Sequence, residues 1–200
     1  MAHHTTGHHD ITGRTVAFLA TDGVEQIELT KPWEAVQQAG GKPQLLSIKN
    51  EAIQGVNHLD KGDTFPVDRL AGEASAEDYD ALVIPGGVAN PDRMREDQGA
   101  VGFVRMFAQS GKPIGSICHG PWMLIEADVV RGRTLTSWPS LKTDIRNAGG
   151  TWLDAEVHVD KGIVTSRKPD DLDAFCDKLL EEIAEGRHER QLTGAVSASV

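Results

Sequence analysis

The chain alternates short apolar runs with longer stretches whose apolar residues recur at helical spacing. Thr15–Ala20 is a short apolar run closed by Thr-Asp-Gly, the pattern of a strand buried on both faces. After it, Val24, Ile27, Leu29, Trp33 and Val36 mark one helical stripe, and Gly40-Gly41 stop it. Pro32 lies inside that stripe, so a kinked or divided helix is expected. Gln44–Ile48 predicts a second strand. From Ile53 to Asp68 the pattern turns to short extended pieces with Asp-Lys-Gly and Phe-Pro turns, a hairpin excursion. Ala81–Ile84 and Pro113–Ile117 predict two more core strands, separated by a helix from about Ala100 to Gln109.

The second half keeps the alternation. Trp122–Val130 is expected to be helical, Thr134–Trp138 extended, and Ser140–Ala148 helical before Gly149-Gly150. Glu156–Ser166 holds two short strands around Asp-Lys-Gly, a hairpin signal. The last helix starts near Asp170-Asp171 and carries the stripe Leu172, Phe175, Cys176, Leu179, Leu180 and Ile183. Repeated strand–helix alternation implies an α/β fold, a mainly parallel sheet with helices on both faces.

Composition narrows the function classes. The 200 residues suit one domain, expected over 14–186, with a His-rich tail over 1–13 and a second tail over 187–200. A net charge of −10 argues against nucleic acid or anionic lipid as a partner. No apolar run approaches the roughly 18 residues of a membrane helix, and the N-terminus lacks a signal-peptide core. Two cysteines, Cys118 and Cys176, cannot make a disulfide framework, so a reducing, cytoplasmic setting is expected. His58 and His158 have no companion at ligand spacing, so neither a metal nor another cofactor is expected.

In doubly wound sheets the loops after the strands gather at one edge, where ligands bind. Three such loops carry candidate chemistry: Asp22-Gly23-Val24-Glu25, Pro85-Gly86-Gly87 and Cys118-His119-Gly120-Pro121. Small residues flank Cys118, with Gly115 and Ser116 before it and Gly120 after it. They permit a sharp strand-to-helix turn with sulfur in place of a serine oxygen. A thiol at a helix N-terminus is expected to have a lowered pKa and nearby N–H groups for an oxyanion. A plain buried cysteine fits the same residues. Gly86-Gly87 supply either a tight turn or further oxyanion donors. Glu25 either complements a helix dipole or points inward as a neutral acid at the thiol. Cys176, on an apolar stripe, reads as inert packing.

Several ordered motifs bear a family resemblance. They are Asp22-Gly23-Val24-Glu25-Gln26-Ile27-Glu28-Leu29, Pro85-Gly86-Gly87, Ser116-Ile117-Cys118-His119-Gly120-Pro121, Thr136-Ser137-Trp138-Pro139 and Pro169-Asp170-Asp171-Leu172. Together they resemble the PfpI-type intracellular protease and protein deglycase family, in the superfamily of the parkinsonism-associated protein with a class I glutamine amidotransferase-like fold. The resemblance implies a flavodoxin-like sandwich with Cys118 as nucleophile on a strained elbow. It implies Glu25 as the protonated acid at the sulfur, Gly87 and His119 as oxyanion donors, and Asp92 of a neighbouring subunit as the partner of His119. Such a chain is at least a dimer. Asp92 stands where the archaeal founder has Glu, and Trp138 where the family commonly has Tyr.

The implied activity is that of a cysteine-dependent stress-response hydrolase. Its substrate would be a peptide, a small carbonyl compound or a glycated protein, which makes it a protease or a deglycase/glyoxalase. The alternative is a redox sensor or chaperone-like stress protein built on an oxidisable Cys118.

Overall fold

The computed structural model describes residues 9–187. In chain order its first half holds β1 (Thr15–Leu19), β2 (Val24–Glu25), α1 (Gln26–Gln38), β3 (Lys42–Ser47), β4 (Ile53–Asn57), β5 (Asp60–Phe65), β6 (Arg69–Leu70), β7 (Ala81–Ile84), α2 (Ala89–Met94) and α3 (Gln98–Gln109). Its second half holds β8 (Ile114–Ile117), α4 (Pro121–Glu126), β9 (Thr134–Leu135), α5 (Lys142–Asn147), β10 (Thr151–Trp152), β11 (Val157–Asp160), β12 (Ile163–Ser166) and α6 (Leu172–Glu185).

Seven strands form the central sheet in the order β11-β12-β8-β7-β1-β3-β6. Every neighbouring pair is parallel except β11 with β12. β1, β7 and β8 are apolar nearly throughout and sit in the middle, because strands covered on both faces need two-sided apolar surface. One core lies under α3, α4 and α5, the other under α1 and α6. The expected α/β sandwich is therefore the observed one. The stripe of α6 buries Leu172, Phe175, Cys176, Leu179 and Ile183 as the 3.6 spacing demands, and each fully buried large side chain contributes about 1.5–3 kcal/mol.

The chain runs outward from β1 to β3 and returns on the other side of β1 to form β7. This reversal opens a crevice at the C-terminal ends of β1, β7 and β8. The predicted excursion after β3 is the β4–β5 hairpin. It pairs with β2 in a small three-stranded sheet beside the crevice.

Two local expectations need correction. α1 runs unbroken through Pro32, whose buried ring costs the helix one hydrogen bond to the Glu28 carbonyl without dividing it. The expected tails lie largely outside the described residues, but 9–13 are no free tail. Ile11 is buried, and its N–H donates to the Ala39 carbonyl at 3.0 Å. Among the described residues no helix is long and apolar enough to cross a membrane.

Candidate active site

Cys118 follows β8 directly and has φ +61°, in the left-handed region that side chains with a Cβ rarely adopt. Backbone bonds on both sides hold it there: its N–H donates to Ser166 at 3.1 Å, and its carbonyl accepts from Trp138 at 2.9 Å. Strain at an over-determined position is the mark of a nucleophile elbow. The turn projects the thiol into the crevice at the start of α4.

Gly86 and Gly87 pass close by. A Cβ on Gly86 would lie 2.5 Å from Glu28 Oε2 and 2.7 Å from Cys118 Cβ, so only glycine lets the loop approach the sulfur. Gly87 has φ +78°, and a Cβ there would meet the Gly23 carbonyl oxygen at 2.3 Å. The N–H groups of Gly87 and His119 both point to Cys118 and favour its ionised form. The structure thus brings the two expected oxyanion donors together.

The His119 imidazole lies with Nδ1 3.2 Å from Cys118 Sγ. Its ring stacks on Trp138 and meets the edge of Trp122. Burial lowers its pKa, so the ring is neutral near pH 7 and able to accept a proton. Nε2 has Ser140 Oγ at 3.5 Å, and no carboxylate of the same chain reaches it among the described residues. Asp92 is exposed on α2, and the hydrogen-bond partners of the His119 ring among the described residues are Cys118 and Ser140.

The acid at the sulfur is Glu28, not Glu25. Glu25 is the N-cap residue of α1, and its carboxylate accepts the His58 N–H at 3.0 Å. Glu28 is fully buried in the first turn, with Oε2 accepting the Gly86 N–H at 2.8 Å, the carboxyl close enough to Cys118 for each to shift the other's pKa, and Oε1 without a hydrogen-bond partner among the described residues. The phase of α1 decides this. Leu29, Pro32 and Val36 define the buried face, and Glu28 lies four residues before Pro32 and eight before Val36 on that face. Ile27, expected on the inner stripe, is 41% exposed. The sequence held the signal: an acid in register with the apolar stripe is a buried acid.

Burial pushes the Glu28 carboxyl up to about 8, and the Glu25 carboxylate pushes the same way against the Gly86 N–H and the sulfur. Glu28 is therefore protonated at neutral pH. The expected lowering of the thiol pKa does not occur. Burial and the nearby Glu28 carboxyl push Cys118 up, and they outweigh the Gly87 and His119 N–H groups. α4 has only six residues, so its dipole is a weak counterweight. Cys118 rests as a thiol beside a neutral base.

A cavity of about 440 Å³ opens above this cluster. Glu25, Val56, Leu59, Val88, Trp138 and Pro169 contribute to its walls, and Glu28, Gly87, Cys118 and His119 also face it. Leu59, at the tip of the β4–β5 hairpin, and Val88 stand exposed at its mouth. Cys176 lies elsewhere, buried on α6, with its pKa raised to about 12 by burial, in keeping with the packing role expected of it. No group of side chains among the described residues has the makings of a metal site.

A three-layer α/β sandwich with a cysteine on a strained strand-to-helix turn, flanked by a histidine and a buried acid, defines a narrow class. The chain belongs to the DJ-1/PfpI family, whose model matches residues 14–182. It is 41% identical over 162 residues to a Bacillus subtilis (strain 168) protein named as cysteine protease YraA, covering 81% of this chain and 94% of that one. It is 42% identical to protein/nucleic acid deglycase 2 of Escherichia coli (strain K12), covering 81% of this chain and 93% of that one. Among solved structures, the two-domain protein of Anabaena variabilis with DJ-1/ThiJ/PfpI-like and ferritin-like domains superposes with TM-score 0.80 at 36% identity. That match covers 84% of this chain and 47% of the other. Drosophila melanogaster DJ-1beta superposes with TM-score 0.77 at 25% identity, covering 86% and 90%.

Proposed function

We propose that this chain is a cysteine-dependent enzyme acting on small α-oxoaldehydes and their adducts with amines or thiols, a deglycase/glyoxalase activity. The observation that carries the reading is the bounded cavity with Cys118, His119 and Glu28 on its floor. Its size and mainly apolar walls suit a small carbonyl compound or a short adduct better than an extended peptide. The relatives named as deglycases and as a cysteine protease support a hydrolase-type reaction at this cysteine.

In this mechanism His119 Nδ1 takes the thiol proton as Sγ attacks the aldehyde carbon. A C–S bond forms, the carbonyl pair moves to oxygen, and the Gly87 and His119 N–H groups receive the oxyanion. His119 protonates it. With an amine adduct, sulfur displaces the amine from the same carbon, and the amine leaves with the proton. His119 then moves the C–H proton to the neighbouring carbonyl through an enediol. The attacked carbon is oxidised to a thioester and its neighbour reduced to an alcohol. Water releases the hydroxy acid and restores the thiol, so no outside oxidant is needed. Glu28, neutral, holds the sulfur by hydrogen bond without adding charge.

The same reading makes the chain a homo-oligomer in which Asp92 of a second copy orients His119. Among the described residues the His119 Nε2 atom has only Ser140 Oγ as a hydrogen-bond partner, and exposed apolar Leu59 and Val88 rim the cavity as an interface would. Two free cysteines fit a reducing cytoplasm. The test is lactate formation from methylglyoxal hemithioacetals, beside a peptide panel, for wild type and Cys118→Ala. Lactate from wild type alone supports the reading. Equal lactate from both removes Cys118 from the chemistry, and peptide turnover without lactate makes the enzyme a peptidase.

A further inference from the structure

The mechanism above leaves Glu25 without a task, although the structure sets it in the cavity wall. Both of its oxygens share one donor, the His58 N–H, at 3.0 and 3.3 Å. A carboxylate can accept about four hydrogen bonds, so most of its capacity is unused. The residue is only 9% exposed, and what is exposed borders the cavity. Neither lysine nor arginine lines that cavity, and among the described residues none pairs with Glu25. The remaining walls are mainly apolar, and the other acid, Glu28, is neutral near pH 7. The floor thus carries a reactive sulfur, and one wall carries an anchored carboxylate that no lysine or arginine of the lining neutralises, the basic side chains of the lining being the imidazoles of His58 and His119. A cation entering this low-dielectric space gains far more from such an anion than it would in water.

We infer that Glu25 is a specificity-determining residue that receives a cationic group of the substrate, an ammonium or guanidinium carried on the portion released after attack by Cys118. The inference rests on the reading that Cys118 is the nucleophile. It goes further in naming the substrate class: carbonyl adducts of basic molecules over neutral ones. His58 holds the carboxylate through its backbone N–H from the hairpin tip, where its own φ is +59°, in the left-handed region of a tight turn. The β4–β5 hairpin therefore sets the position of the cation site, and α1, through its N-cap, supplies the charge.

The test reads charge selectivity in two independent ways. In the first, methylglyoxal hemithioacetals of 2-(dimethylamino)ethanethiol, whose tertiary amine cannot close to a thiazolidine, and of 2-mercaptoethanol are compared; the reacting atoms are the same, and a protonated tertiary amine stands in place of a hydroxyl. Wild type is expected to favour the cationic member in kcat/KM. Glu25→Gln should lower the cationic-to-neutral ratio by about tenfold, the low end of what a charge-assisted hydrogen bond supplies, chiefly through KM. Glu25→Asp should keep part of the preference. In the second, Cys118 is alkylated by 2-bromoethylammonium or by neutral iodoacetamide, and its own peptide is followed by mass spectrometry. The thiolate displaces the halide, forms a C–S bond and requires no turnover. The same tenfold fall in the ratio is expected in Glu25→Gln. An unchanged ratio in both assays, or equal losses on both members of each pair, overturns the inference and leaves Glu25 a structural clasp for the hairpin. A ratio that shifts in alkylation while wild type makes no lactate keeps the cation site and sinks the proposed activity instead.

Discussion

Glu28 Oε2 accepts the Gly86 N–H at 2.8 Å across a separation of 58 residues, tying the first helix to the loop after β7 directly beside the cysteine. The contact joins the helix that follows the first of the three sheet-edge loops to the second of them, and it bears on why Glu28 is buried without a cation. A neutral carboxyl accepts one N–H and still has a hydroxyl to donate, so burial costs it much less than it would cost a carboxylate.

Stability should reflect that proton. Glu28 rises from its ordinary value of 4.5 to about 8 on folding, so the native state binds the proton more tightly than the unfolded chain. The resulting stabilisation is fully present below the unfolded value and is lost as pH rises through about 8. Across that window the contribution falls by at most about 1.4 kcal/mol per pH unit. Denaturant unfolding of wild type and Glu28→Gln at several pH values checks this. The variant should show a flatter profile between roughly pH 5 and 8. Parallel profiles would refute a protonated Glu28.

Activity should carry an alkaline limb from the same group. Above about pH 8 the ionised Glu28 places a negative charge beside the sulfur and opposes thiolate formation. kcat/KM of wild type is expected to fall there. Glu28→Gln, which cannot ionise, should lose that limb while the acidic limb from His119 stays. An alkaline limb that persists unchanged in Glu28→Gln assigns it to another group.

The elbow strain predicts an inverted stability order. Cys118→Ala retains a Cβ at φ +61°, whereas Cys118→Gly does not. The glycine variant is expected to be more stable than the alanine variant by about 1 kcal/mol, with both inactive. Thermal melts of the two compared at one pH decide this. An alanine variant at least as stable as the glycine one would show that the backbone there is unstrained.

Gly87→Ala should be worse than an ordinary surface change. The left-handed conformation costs about 1–3 kcal/mol for a residue with a Cβ, and the methyl would also meet the Gly23 carbonyl oxygen. Loss of both stability and turnover is expected, measured by melting temperature and kcat. Wild-type values in both would remove the close approach from the account of the site.

Sharing of the site between copies is tested by mixing. Cys118→Ala and Asp92→Ala are each expected to be inactive alone. Together, after exchange of subunits, they should regain activity, because a mixed pair restores one site with Cys118 from one chain and Asp92 from the other. No recovery, with exchange verified by mass, would make Asp92 irrelevant to His119.

The sequence by itself determined the layers of this protein, its central strands and the residue at its elbow. Short apolar runs closed by turn residues read as two-sided strands because they are too short for a buried helix, and 3.6 spacing over longer stretches reads as a buried helix face. Cys118 and His119 were legible as candidates, because small flanking residues permit a sharp turn after a strand, but the same residues fit a plain buried cysteine; the ordered motifs shared with the PfpI-type family, not spacing, singled them out together with Gly87. The identity of the acid was decided only in three dimensions. Glu25 and Glu28 are one helical turn apart, and whether either faces the sulfur depends on the rotation of α1 on the sheet. That rotation is set by Leu29, Pro32 and Val36 packing on the core. The direction of the thiol pKa was likewise out of reach, because desolvation depends on what closes over a group, whereas a helix N-terminus can be read from local sequence. Periodicity reports what a segment does to itself. The charge state of a buried site follows from residues that meet only when the chain is folded.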